Sequence, residues 1–279
     1  RISIGADGLV ASGGSLLIQA GADISLTGAL RGAGGTQGAG AAVDLQAPGS
    51  ITLAGPVDLR GGQGAGGIID ITAGGAISVV DLNLSGSSEF GDAGLATFDA
   101  GGSVTIGAIN GLGGADGENC GDAADIDVFA GGDILVNGPV DMRGRGLDCS
   151  AGFLSLDGDR VFVNGALLMS GDGSDSEGGD LDISALTLIQ VASTARIDLS
   201  GGSGGAGDLL LVSQGDLAVA GPIDVYGRTS GSPGSTLVEL NAGGLLTLSS
   251  VLNASGGSAV IGCGGDVSLI GCRVEATLS

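Results

Sequence analysis

The chain has 279 residues, carries a net charge of -22 and contains neither Lys, His nor Trp; its nine basic residues are all arginine. So acidic a chain is excluded as a phosphate-backbone binder and is a poor fit to anionic membrane surfaces. With Gly at 61 of 279 residues but hydrophobic content at 43%, it is neither a disordered linker nor, lacking a three-residue period, a collagen.

Taken in chain order, the sequence repeats one short design. Two alternating runs, Ile51-Thr52-Leu53 and Val57-Asp58-Leu59, flank a Gly55-Pro56 corner. Alternation at period 2 places Ile51 and Leu53 on one face and Thr52 on the other, the pattern of a half-buried strand. Near-copies follow at 133–144 and 216–227. The first apolar residue of the earlier run serves as a ruler: Ile24, Ile51, Ile77, Val104, Ile134, Val161, Leu188, Leu217 and Leu246. Its steps are 27, 26, 27, 30, 27, 27, 29 and 29 residues, which marks a repeat architecture.

Each repeat holds three short strands. The first strands are Val43-Asp44-Leu45, Ile69-Asp70-Ile71, Ile126-Asp127-Val128, Leu181-Asp182-Ile183 and Val238-Glu239-Leu240. The second is the ruler strand, and the third is Val57-Asp58-Leu59 with its copies at 82–84, 140–142, 197–199 and 223–225. Loops of variable length, at 61–67, 86–94, 111–123, 171–179 and 201–207, return to the next repeat. This pattern predicts an all-β fold: a single-stranded, right-handed parallel β-helix (β-solenoid) of about ten coils of roughly 27–30 residues each, one domain over residues 1–279. Gly is expected at the corners to supply positive φ, and Pro56, Pro139 and Pro222 because no ladder donor is needed there.

Arg1-Ile2-Ser3-Ile4 opens in strand pattern, and Cys272 to Ser279 also reads as strand. Joining Ser279 of one copy to Arg1 of the next gives Val267-Ser268-Leu269, Arg273–Thr277 and Ile2-Ser3-Ile4 as first, second and third strands, with 5–14 as the loop. Arg1, Ile2, Ile4, Arg273, Val274 and Leu278 are therefore candidate subunit-junction residues, and the expected partner is the chain itself. A competing register starts the last coil at Ala259-Val260-Ile261.

Candidate chemistry is sparse. Asp44, Asp70, Asp127, Asp182 and Glu239 should form one outward column interrupted by Thr97 and Ser155, and Asp58, Asp141, Asp198 and Asp224 a second. Such columns read as solvated faces braced by Arg31, Arg60 and Arg143, or as cation-binding ladders. Asp116, Glu118, Asp122, Asp172, Asp175 and Glu177 lie in oxygen-rich loops and are weak calcium candidates, since neither loop has EF-hand or calcium-roll spacing. No other cofactor is expected. Cys120 and Cys149 are 29 residues apart, about one coil, which favours a disulfide; Cys263 and Cys272 are a second candidate pair, or the thiols are free. Disulfides imply an oxidising setting. Without His or Lys the common catalytic bases are missing, and the Asp157/Asp159 carboxylates have almost no aromatic residue to line a sugar cleft, so no enzyme is expected.

The segments Gly49-Ser50-Ile51-Thr52-Leu53, Gly74-Gly75-Ala76-Ile77-Ser78-Val79 and Gly101-Gly102-Ser103-Val104-Thr105-Ile106 resemble the repeats of filamentous-haemagglutinin-like bacterial surface and secreted β-helices. That resemblance spans nearly the whole chain and implies a secreted, extracellular or cell-surface role with cell-surface or matrix contacts; it transfers no functional residue. The sequence therefore reads as a non-enzymatic structural protein stacking head to tail into a filament, or as the stalk of an adhesin. Neither nucleic acid nor membrane insertion is expected.

Overall fold

The computed structural model describes residues 1–5, 8–10, 13–86, 91–116, 119–173, 175–227, 236–255 and 266–276. It is an all-β solenoid of about nine turns. The count is one below the expected ten because the first coil lacks a first-ladder strand and the last lacks a third-ladder strand among the described residues. Every pairing in the main sheet is parallel, and the exception is a two-residue antiparallel hairpin pairing Ala115–Asp116 with Asn119–Cys120.

Three ladders run along the axis. In the second, Ile2 faces Ile24, then Ile51, Ile77, Val104, Ile134 and Val161 in unbroken register. The next rung is Ile189, not Leu188: Ile189 faces Val161 and Leu217, while Leu188 faces Arg160 and Asp216. A register irregularity between Gly158 and Arg160 absorbs the one-residue difference. Burial agrees, since Ile189 is fully inside and Leu188 is half-exposed.

The first ladder stacks Val43, Ile69, Ala96, Ile126, Leu154, Leu181, Leu209, Val238 and Val267. The third stacks Leu30, Val57, Leu82, Ile109, Val140, Leu167, Ile197, Ile223 and Leu252. Inward residues of all three ladders form one aliphatic core in which Ile51, Val104 and Ile134 are 0% exposed. Burying each such side chain contributes about 1.5–3 kcal/mol.

Corner glycines owe their place to close axial packing. Among the described residues, positive φ occurs only at Gly8, Gly13, Gly146 and Gly205. The Gly-Pro corner residues Gly55, Gly138 and Gly221 are outside that set, which corrects the expectation from sequence. A Cβ on Gly55 would sit 2.3 Å from the carbonyl oxygen of Gly28, and one on Gly165 would sit 1.9 Å from that of Gly138. Coils at the parallel-sheet spacing of about 4.8 Å leave no room there for a methyl group. Pro56, Pro139 and Pro222 use their carbonyls to accept amides of the preceding coil, from Leu30, Ile109 and Ile197.

The final coil follows the register with Val267 in the first ladder and Val274 facing Leu246 in the second. Residues 259–261 of the competing register lie outside the described set. The predicted junction is corrected at its other side. Ile2–Ile4 occupies the second ladder, against Ile24–Leu26, and Leu9–Val10 is the third-ladder strand, against Leu30–Arg31. The stretch read as a loop at 5–14 therefore contains a rung.

Candidate functional site

The acidic residues have three separate structural settings. The first is the outward column of the third ladder, Arg31, Asp58, Asn83, Asn110, Asp141, Leu168, Asp198, Asp224 and Asn253. Its four aspartates are the predicted ones, interspersed with Asn83, Asn110 and Asn253. Several of these side chains fold back two residues onto the corner: Asn83 Oδ1 accepts from the Ser85 amide (3.1 Å) and hydroxyl (2.9 Å), and Asp198 Oδ1 accepts the same pair from Ser200 (3.1 and 2.6 Å). These are Asx turns, which satisfy backbone donors where the third strand ends.

Arginine braces this column, as the sequence suggested for Arg60 and Arg143. Arg60 lies 3.5 Å from Asp58, and Arg143 pairs with Asp141 at 2.7 Å and approaches Asp172 at 3.8 Å. Donating to Asp141 holds the Arg143 guanidinium above its ordinary pKa. Arg31 is itself a rung, in register with Asp58. Arg196 was missed: it precedes its strand, and it bridges Asp198 (2.8 Å) and Asp224 (3.1 Å).

A second set of carboxylates stitches one coil to the next. Asp23 Oδ1 accepts the Ser50 amide (3.1 Å), Asp125 that of Phe153 (3.2 Å), Asp180 that of Asp208 (2.7 Å), Asp208 that of Leu237 (2.7 Å) and Asp216 that of Leu245 (2.8 Å). Ser50 and Ser103 do the same with their hydroxyls toward Ala76 and Asp133. The signal available in the sequence is an Asp or Ser just before a strand, with the accepting partner a full coil away.

The third setting is the outward face of the first ladder. Its middle column runs Leu17, Asp44, Asp70, Thr97, Asp127, Ser155, Asp182, Leu210 and Glu239, as predicted except for the additional interruption at Leu210. Gln46 donates to both carboxylate oxygens of Asp44 at 3.0 Å. Asp182 Oδ1 is buried without a hydrogen-bond partner. Desolvation, with Asp157 nearby, raises its pKa above the ordinary 3.8; desolvation likewise raises Asp125, partly countered by the Phe153 amide, with Asp127 and Asp122 adding repulsion.

The calcium candidates are dispersed. Asp122 accepts the Ser150 amide at 3.2 Å, Asp172 accepts the Ser170 hydroxyl at 3.2 Å, Asp175 takes the Ser203 hydroxyl, and Glu177 bridges through its backbone to Gly205. Glu118 and the side chain of Asp116 lie outside the described residues. Among the described residues no three His, Cys, Asp or Glu side chains gather to hold a metal ion. Asp157 points outward from the first-ladder face, whereas Asp159 accepts the Thr187 hydroxyl at 3.0 Å on the next corner.

Cys120 and Cys149 form a disulfide, with Cα atoms 5.7 Å apart. It ties the hairpin that projects from the long 111–123 loop to the coil above. Cys272 is a free, exposed thiol whose S–H meets the Gly243 carbonyl at 2.9 Å, and Cys263 lies outside the described residues. Of the junction candidates, Ile2 and Ile4 pack half-buried under the first full coil, Val274 is 43% exposed, Arg273 pairs with Glu275, and Leu278 lies outside the described residues. At the same end a cavity of about 360 Å³ is lined by Leu248, Val251, Leu252, Val267 and Leu269. No helix is long and apolar enough to cross a membrane among the described residues.

No family model, curated protein or solved structure matches the chain.

Proposed function

We propose that the chain is a non-enzymatic structural rod of an extracellular or cell-surface protein, akin to the filamentous-haemagglutinin-like β-solenoids. The carrying observation is the uninterrupted second ladder from Ile2 to Val274 around an aliphatic core. A shaft built this way resists bending, because each coil is held to its neighbours along three ladders. The Cys120–Cys149 disulfide suits an oxidising compartment, and the net charge of -22 keeps rods apart by repulsion.

Such a rod can serve as the stalk of an adhesin or stack on copies of itself as a filament. The stalk needs only coils paired along the three ladders around one core. The exposed apolar end around Val267 and Leu269 is the observation that keeps the filament as a second reading. Negative-stain microscopy over a concentration series separates them. Single rods on the order of 45 Å long support the stalk, and fibres lengthening with concentration support the filament. Round particles without a long axis contradict both.

A further inference from the structure

The first-ladder face differs from the other two in its charge. Arg60, Arg143 and Arg196 neutralise the third-ladder aspartates, and Arg160 holds Asp133 beside the second ladder with its Nε at 2.8 Å. On the first ladder, each rung shows three outward residues, and none of those positions is arginine among the described residues.

The centre of this face also carries two exposed phenylalanines, Phe129 at 44% and Phe153 at 37%, in a chain with only 2% aromatic residues. Packing does not call for them, since the core beneath is already filled by Val128 and Leu154. Register places each ring between two carboxylates. Phe129 lies between Asp99 and Asp157 in one column, and Phe153 between Asp125 and Asp180 in another. The column between them supplies Asp127 and Asp182.

We propose that this face docks a basic, extended polypeptide segment of a partner protein, whose Lys or Arg side chains lie over Phe129 and Phe153 and pair with the flanking carboxylates. A cation over an aromatic ring gains from its quadrupole, and neighbouring carboxylates add charge pairing. Spacing fits the same occupant. Adjacent outward columns are two residues apart along a strand, about 6.8 Å, which is also the separation of alternate side chains on an extended peptide. A single metal ion fits worse, because it needs oxygens converging on one point, and no such group forms among the described residues. Desolvation, with smaller repulsion from Asp127 and Asp122 at Asp125 and from Asp157 at Asp182, raises the proton affinity of both carboxyls, and a cationic partner offsets that cost.

The test is titration of the protein, at physiological salt, with a fluorescent nine-residue oligo-arginine peptide, read by anisotropy. Phe129→Ala with Phe153→Ala, and separately Asp127→Asn with Asp182→Asn, should each weaken binding at least tenfold. Asp81→Asn with Asp148→Asn, exposed acids on other parts of the rod, should change it less than twofold. Phe129, Phe153, Asp81 and Asp148 are exposed and Asp127 and Asp182 half-buried, and circular dichroism with thermal melting confirms that each variant folds. Equal losses in the face and control variants would mean diffuse acidity only and overturn the proposal. Absence of binding to the wild-type protein, or displacement of the peptide by micromolar calcium, would overturn it as well.

Discussion

Replacing Gly165 by Ala adds a single methyl group, and the structure makes its cost depend on the neighbouring coil. Gly165 is buried with no positive φ, so an isolated turn would accept alanine without backbone strain. The added Cβ would lie 1.9 Å from the Gly138 carbonyl oxygen and 2.3 Å from its carbon. An ordinary contact needs about 3.4 Å or more, so two coils would have to part by over an ångström where inter-coil hydrogen bonds hold them. Overpacking of this kind costs about 1–3 kcal/mol, and rigid backbone on both sides sets this case at the upper end. Gly21 is the control, because nothing lies within 4 Å of a Cβ there. Gly21→Ala should stabilise by about 0.4–1 kcal/mol through the unfolded chain. Urea unfolding of both variants gives the two signs directly. A neutral or stabilising Gly165→Ala would refute the axial-contact explanation of the corner glycines.

Three further outcomes follow from particular contacts. Opening the Cys120–Cys149 link with paired Ser substitutions frees a closure spanning 29 residues, and chain entropy sets the loss at about 3–4 kcal/mol, measured as a lowered unfolding midpoint under non-reducing conditions. Asp208→Ala removes the acceptor for the Leu237 amide at 2.7 Å and should cost about 1 kcal/mol in denaturant unfolding, with Asp208→Asn losing less. Asp182→Asn should stabilise the protein at neutral pH, because the wild-type carboxylate is desolvated and unpartnered. The folded state binds the Asp182 proton more tightly than the unfolded chain does. Its penalty is therefore full above the raised pKa and fades as pH falls toward 3.8. The variant's advantage should shrink over that range in parallel melting curves.

The fold was legible because a strand buried on one face writes itself as period-2 alternation, and because the coil repeats that pattern near every 27 residues. Ile51-Thr52-Leu53 and Val57-Asp58-Leu59 sit where that reading put them. What stayed hidden depends on the third dimension. Leu188 and Ile189 are both aliphatic, and only the corner irregularity beside Gly158 and Arg160 decides which one turns inward. The first turn, from Ile2 to Ile24, is shorter than the rest, so Leu9–Val10 did not stand out as a rung and the junction was misregistered. The aspartate columns were visible as repeats. The inter-coil caps were not, since Asp208 and Leu237 are 29 residues apart and meet only through stacking. The acidic, arginine-free surroundings of Phe129 and Phe153 were equally invisible until register placed them beside Asp99, Asp125, Asp157 and Asp180.

Paired cysteines test the stacked register of the coils most directly. Thr52 faces Ser78 on the adjacent coil, and Ser78 faces Thr105 on the next. Thr52→Cys with Ser78→Cys places two thiols one rung apart, about 4.8 Å between backbones and within disulfide reach. Thr52→Cys with Thr105→Cys doubles that distance and puts it out of reach. Mild oxidation followed by peptide mass mapping should link the first pair in nearly every molecule and leave the second pair unlinked within the chain. Intramolecular linkage of Thr52→Cys with Thr105→Cys, or none for Thr52→Cys with Ser78→Cys, would contradict the stacked solenoid.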